Sequence, residues 1–120
     1  MKVLISFVSV LLFIGWGAVF AADSEGVFYF EKNIRPVLVK HCYKCHSAEA
    51  KKLKAGLRLD TRAGVRKGGS SGDAIIPGNA DDSLLLMMIE EGDMPEEADQ
   101  LSDEDINTIK MWIAEGAENN

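Results

Sequence analysis

Apolar side chains recur at helical spacing in the segment 27–41 and predict an amphipathic helix there. They are Val27, Phe30, Ile34, Val37 and Leu38. Glu31 lies four residues before Arg35, an arrangement that adds an ion pair along such a helix. Pro36 interrupts the pattern, because proline lacks a backbone N–H and clashes with the preceding turn. We therefore expect a kink or a restart of the helix at Pro36.

A second amphipathic helix is predicted near the C-terminus. Ser102 followed by Asp105 forms a capping box, which opens a helix that should run to about Ala114. Its apolar face carries Ile106, Ile109 and Ile113, with Trp112 beside them. Because a short chain offers few other partners for two apolar helix faces, we expect these helices to cross and pack. The predicted contacts join Phe30 or Ile34 to Ile109, Trp112 or Ile113.

Between these helices the periodicity is mostly lost. Residues 47–80 are rich in Gly, Ser and Lys and predict a long irregular segment, with an extended piece at 57–60 and a helical turn at 61–66. Asn79 with Asp82 predicts the start of a third helix, which carries the apolar run 84–89 and stops at Gly92. Strand-like alternation is otherwise missing, so the predicted fold class is all-α.

The N-terminus has the pattern of a secretory signal. Lys2 is followed by an apolar run to Phe20, and small residues precede a possible cut after Ala21 or Ala22. We expect residues 1–22 to be a signal peptide and residues 23–120 to be the mature, exported domain. The alternative is an uncleaved anchor, because about 18 apolar residues almost span a bilayer.

Composition narrows the classes of function. The chain has 120 residues and a formal net charge of -6, which becomes -7 when the signal removes one lysine and no acid. A general nucleic-acid binder is therefore not expected. A mature domain of about 98 residues also has difficulty forming a sufficient apolar core alone, so a metal, disulfide or other filler is expected.

The motif Cys42-Tyr43-Lys44-Cys45-His46 supplies that filler. Cys-x-x-Cys-His is the attachment signature of a c-type haem: two thiols one helical turn apart bond to the porphyrin, and the histidine ligates the iron. A redox-active disulfide would usually follow a strand, and a zinc site would need a further strong ligand. A disulfide between residues three apart would be strained.

Methionine is the expected second axial ligand, since no histidine follows His46. The candidates are Met87, Met88, Met94 and Met111. Met94 is favoured because it precedes Pro95 in a loop, whereas Met87 and Met88 lie in an apolar helical run and are explained by packing. His41 is expected to pack or to lie at the surface.

Several blocks of the sequence resemble the planctomycete-type cytochrome c domain. They include the haem motif, Gly56-Leu57-Arg58-Leu59-Asp60, Ile75-Ile76-Pro77-Gly78, Met94-Pro95 and Trp112-Ile113-Ala114. The resemblance implies a small all-α, cytochrome c-like fold around one covalent haem c. It implies attachment at Cys42 and Cys45, with His46 and Met94 as axial ligands. The family usually has a second proline after Met-Pro, where this chain has Glu96.

These features predict a periplasmic monohaem cytochrome that carries single electrons between redox proteins and is not an enzyme by itself. The alternatives are a haem enzyme or gas sensor with an open distal position, or an electron-feeding subunit of a dehydrogenase. Residues 32–67 hold 11 basic side chains, whereas 81–118 hold 13 acidic ones, several of them flanking Met94. We therefore expect redox partners with a basic docking face, no nucleic acid and no stable membrane span after cleavage.

Overall fold

The computed structural model describes residues 21–96 and 99–119. Its helical elements are α1 (Ala21–Tyr29), a π-helical turn (Phe30–Ile34), α2 (Arg35–His41), a 3₁₀ turn (Lys54–Gly56), α3 (Arg62–Lys67), α4 (Leu84–Glu90) and α5 (Asp103–Ala114). Nearly all of the predicted signal peptide, residues 1–20, lies outside the described residues. Among the described helices, none is both long and apolar enough to span a membrane.

The first helical segment changes its winding just before Pro36, as the sequence predicts. The backbone N–H of Arg35 donates to the carbonyl oxygen of Phe30, a bond five residues back that defines the π turn. Pro36 then stands in the first turn of α2, where its missing N–H needs no partner. The predicted ion pair also forms, because Arg35 Nε lies 2.7 Å from a carboxylate oxygen of Glu31.

The two terminal helical segments pack on each other. The ring centroids of Phe30 and Trp112 are 5.6 Å apart and tilted by 38°, and Ile34, Ile109 and Ile113 are fully buried around them. The Trp112 indole N–H donates to the carbonyl oxygen of Glu118 at 2.8 Å, so its one polar atom is satisfied inside the core. The predicted crossing of the first and last helices is confirmed.

The segment after the haem motif is irregular, with short helical turns. Thr61 caps α3 by accepting a hydrogen bond from the backbone N–H of Gly64 at 3.0 Å, which confirms the predicted turn. Gly68 has a φ of 73°, and a Cβ there would lie 2.3 Å from the Gly72 carbonyl oxygen. Glycine at 68 therefore allows the chain to turn tightly into the bridge between Gly69 and Gly72.

The prediction that a helix starts at Asn79 is wrong. Asn79 Oδ1 does accept from the backbone N–H of Asp82 at 3.2 Å, but this bond closes a turn, and α4 begins only at Leu84. Ser83, the residue before α4, is completely buried. Its hydroxyl accepts from the Ile76 N–H at 2.9 Å and donates to the Asn79 carbonyl oxygen at 2.8 Å. These bonds stabilise a separate turn ahead of the helix. Asparagine and serine side chains that bond to nearby backbone groups offer the backbone an alternative to the helix.

At the other end, Ser102 accepts from the Asp105 N–H at 3.1 Å and caps α5 as predicted. No strand occurs in the ranges that the structure describes, apart from the isolated glycine bridge. The all-α fold class is confirmed. The core lies between the first helical segment, α4 and α5, and it includes buried residues of the irregular segment such as Leu59, Val65 and Ile75.

Candidate functional site

The Cys-x-x-Cys-His motif forms one helical turn directly after α2. Its backbone N–H groups continue the helical pattern: that of Cys42 donates to Leu38 at 2.8 Å, and that of His46 donates to Cys42 at 3.0 Å. Cys42 and Cys45 are free thiols, each partly buried. Residues three apart in such a turn lie on the same side of it, which is the arrangement that attachment at one porphyrin edge requires.

The extended segment after the 3₁₀ turn holds His46 in place. The ring Nδ1 of His46 lies 3.3 Å from the Leu57 carbonyl oxygen, and the Leu59 N–H donates to the His46 carbonyl oxygen at 2.8 Å. Because a carbonyl oxygen can only accept, Nδ1 carries the proton and Nε2 keeps its lone pair. A backbone partner of this kind orients and tunes a metal-ligating histidine.

The Leu57 carbonyl was missed by sequence reasoning. A backbone oxygen leaves no trace in side-chain chemistry, and only the extended Leu57-Arg58-Leu59-Asp60 block hinted at an ordered neighbour. Arg58 and Asp60 fix that block further: the guanidinium lies 2.8 Å from the carboxylate, and Asp60 Oδ2 accepts from the Ala48 N–H at 3.1 Å. The Arg58 hydrogen bond lowers the pKa of Asp60.

A cavity opens beside the motif, and three of the four predicted site residues, Cys42, His46 and Met94, line it. The cavity volume is about 130 Å³, which is below the range of about 300–1,000 Å³ typical of fully preformed ligand pockets. Cys45 lies at the adjoining opening together with Cys42, His46 and Met94. The rest of the cavity wall is mainly apolar. It comes from the irregular segment, with Leu57 and Leu59, from α4, with Leu85 and Ile89, and from Leu101 just before α5.

The structure narrows the choice of methionine. Met87 and Met111 are exposed, at 37% and 49% of their surface, and neither lines the cavity. Met94 and Met88 both line it. Met94 follows the turn at Gly92, and its backbone N–H donates to the Met88 carbonyl oxygen at 3.1 Å. The following peptide bond, Met94–Pro95, is cis.

The alternatives to haem attachment find little support in this geometry. Burial raises the pKa of the Cys42 thiol to about 11, whereas a redox-active Cys-x-x-Cys pair depends on a lowered thiol pKa. In the described part of the chain, no group of three or more His, Cys, Asp or Glu side chains is arranged to hold a metal ion.

His41 packs inside the molecule, in agreement with the first of the two roles expected for it. Its side chain is only 4% exposed, and Nε2 lies 3.9 Å from Asp105 Oδ2, at the start of α5. The contact is too long for a hydrogen bond, and Nε2 has no hydrogen-bond partner. His41 therefore lies between the end of α2 and the start of α5, next to Cys42, with its Nε2 unpartnered.

Comparison with known proteins agrees with this geometry. Residues 42–97 match the family model for planctomycete cytochrome C. They are a planctomycete-type cytochrome c domain. The match contains the motif, Leu57 and Met94, so the segment that defines the cytochrome domain also supplies those cavity residues. Neither the curated proteins nor the solved structures gave a match.

Membership of the cytochrome domain implies covalent haem c, and the residues present fit that group. The cavity combines an apolar wall with a thiol, an imidazole and a thioether, which is the donor chemistry that haem c requires. The imidazole is held in the tautomer that leaves Nε2 available.

Proposed function

We propose that this protein is an exported cytochrome c that binds one haem and carries single electrons between redox proteins. The observation that supports the proposal best is the shared cavity of Cys42, His46 and Met94. When bound, haem supplies a one-electron couple between ferrous and ferric iron. The chain itself supplies the attachment, the ligands and the environment.

Each site residue has a distinct part in this proposal. Cys42 and Cys45 would hold the porphyrin by thioether bonds, and His46 would ligate its iron through Nε2 while Nδ1 donates to Leu57. Met94 would supply a second ligand. A thioether in combination with an imidazole favours the reduced state more than two imidazoles do, so the reduction potential would be raised relative to bis-histidine iron.

The rest of the cavity limits what the site can do chemically. Its apolar wall excludes water, which stabilises the less charged, reduced state of the iron. The described lining contains no carboxylate, and we assign His46 as the ligand of the iron. The second histidine of the lining, His41, is buried, and its Nε2 has no hydrogen-bond partner. Electron transfer needs no general acid or base.

Export is proposed from the sequence pattern of residues 1–22, with a periplasmic location of the mature chain. A c-type haem site suits that location. The mature N-terminus should begin at Ala22 or Asp23, corresponding to a cut after Ala21 or Ala22. N-terminal sequencing of the protein recovered from the periplasmic fraction checks this, and an N-terminus at Met1 in a membrane fraction would instead indicate a retained anchor.

The test of the carrier function is the reaction of the purified wild-type protein with carbon monoxide. A carrier with both axial positions filled should be reduced and reoxidised reversibly, and its ferrous spectrum should not change under carbon monoxide. Rapid carbon monoxide binding by the wild type would show an open distal position. The protein would then be a haem enzyme or gas sensor.

A further inference from the structure

Lysines surround the opening beside the two cysteines. Three of them, Lys40, Lys44 and Lys54, border the opening that contains Cys42, Cys45 and His46. A shallow groove on the outer side of Cys45 adds Lys51 and Lys52. All five side chains are exposed. We refer to these five lysines together as the basic rim.

Among the described residues, little negative charge offsets the basic rim. Glu96 is the one described acidic residue that borders the opening, and it lies 4.0 Å from Lys54, with both side chains about half exposed. An exposed pair at that distance contributes little. The other four lysines form no ion pair with any residue in the described part of the chain.

The remaining charges of the groove neutralise one another locally. Arg35 is paired with Glu31 and Asp60 with Arg58, each through two hydrogen bonds. Glu49 is the remaining acid in the groove. The rim is therefore locally positive on a protein whose net charge is negative.

Apart from Glu96, the described acidic residues near Met94 in sequence do not border the opening. Glu90 approaches Lys110 on α5, at 3.9 Å, and Glu91 and Asp93 do not border the opening or the groove. Proximity to Met94 along the chain does not place these carboxylates beside the cysteines. The sequence-based expectation of a basic docking face on the partner depended on that proximity.

We propose that the basic rim is the docking surface of this cytochrome and that its redox partner presents an acidic face. The proposal rests on the proposed electron-carrier function. Electrons leave a buried haem most easily where the porphyrin edge approaches the surface, and both attachment residues, Cys42 and Cys45, border this opening. Complementary charge at that point speeds encounter and selects the partner.

Two small oxidants of opposite charge distinguish an effect of the positive basic rim from an effect of the protein's negative net charge. The ferrous protein transfers one electron to hexacyanoferrate(III), a trianion, or to tris(1,10-phenanthroline)cobalt(III), a trication; the oxidant is reduced by one electron and the protein becomes ferric. Stopped-flow rate constants are measured between about 10 and 200 mM ionic strength. If the rim controls approach, the rate with the anion falls and the rate with the cation rises as salt is added. The protein's net negative charge alone predicts the opposite: the rate with the anion rises and the rate with the cation falls as salt is added. That result would overturn the proposal.

Variants test whether the rim lysines are responsible. Lys44→Gln and Lys51→Gln should each slow the anionic oxidant about threefold at low salt, with the spectrum unchanged. Lys32→Gln is the matched control, because Lys32 is exposed on the π turn and borders neither the opening nor the groove. Equal effects of all three substitutions would show that only net charge matters and would contradict a local docking surface.

A binding measurement gives a readout that does not depend on electron transfer. A peptide of ten glutamates is titrated into the ¹⁵N-labelled ferrous protein at low salt. Amide shifts should be confined to the rim and reversed by salt; shifts spread over α5, or none, would refute the assignment. A protein that takes up no haem or fails to cycle between oxidation states contradicts the carrier function itself, whereas reversible cycling without these rim effects contradicts only the docking proposal.

Discussion

Met94 and Met88 are the two thioethers that border the cavity beside His46. Met94→Ala should lower the reduction potential, remove the weak far-red band of thioether-ligated ferric haem and let carbon monoxide bind the ferrous protein. Met88→Leu is the control, because it keeps apolar volume at the cavity wall and should leave all three properties nearly unchanged. Potentiometry with optical spectra follows both variants. If Met88→Leu opens the site and Met94→Ala does not, the ligand assignment is wrong.

Individual residues differ in how far the sequence reveals their part. Cys42, Cys45 and His46 can be found because their chemistry depends on side chains at fixed spacing. The Leu57 carbonyl cannot, since any residue would supply the same oxygen and only the fold brings it to His46 Nδ1. Met94 lies between these cases: the residue type suggests a ligand, but the cavity is needed to set Met87 and Met111 aside.

The extended element at residues 57–60 has a pH dependence of its own. The pKa of Asp60 is lowered in the folded protein, chiefly by the Arg58 hydrogen bond. A carboxyl group whose pKa is lower in the folded than in the unfolded state stabilises the folded protein at pH values above its unfolded pKa. This stabilisation is lost as the pH falls through the folded pKa. Asp60→Asn should therefore lower the free energy of unfolding at pH 7 and have little effect near about pH 2.

Chemical denaturation across the acid range measures this effect. Asp73→Asn serves as the control, because Asp73 is exposed and makes no ion pair within the described residues. An Asp60→Asn effect that is the same at both pH values would mean that the carboxylate charge does not anchor the element. The segment behind His46 would then be held by its backbone bonds alone.

Contact between α5 and the π turn makes a larger contribution to stability. Trp112 is 3% exposed and packs on Phe30, so Trp112→Ala should cost about 3–5 kcal/mol of the free energy of unfolding. The neighbouring Met111 is 49% exposed, and Met111→Ala should change the free energy of unfolding by no more than about 0.5 kcal/mol. Guanidinium titration of the haem-loaded protein measures both. Similar losses from the two variants would contradict the packing described for α5.

Secondary elements were predictable where their signals are local. Pro36 and the caps at Thr61 and Ser102 act on atoms within a few residues, so the sequence is enough to locate them. The helix start predicted from Asn79 and Asp82 is wrong although their local bond forms. The buried Ser83 hydroxyl accepts a hydrogen bond from the Ile76 N–H, and α4 begins only after this residue. That bond depends on the burial of Ser83 in the folded protein, which the local sequence pattern does not reveal.

At the scale of the whole molecule, the basic and the acidic stretches of the chain form distinct surfaces that approach each other at His41. The basic rim borders the cysteines, and the first turn of α5 is acidic, with Asp103, Glu104 and Asp105, the last of which lies 3.9 Å from His41. The sequence shows this division along the chain but not which side meets the haem opening. Only the folded arrangement of the opening assigns the lysines to it.

The central claim is that Cys42 and Cys45 bond covalently to one haem. The most direct measurement is the intact mass of the exported protein under denaturing conditions, which remove any haem held by ligation alone. The predicted result is the mass of the processed polypeptide plus one haem, reduced to the polypeptide alone in a Cys42→Ala, Cys45→Ala double variant. A wild-type mass equal to that of the bare polypeptide, from cells that attach haem to other c-type cytochromes, would contradict the account.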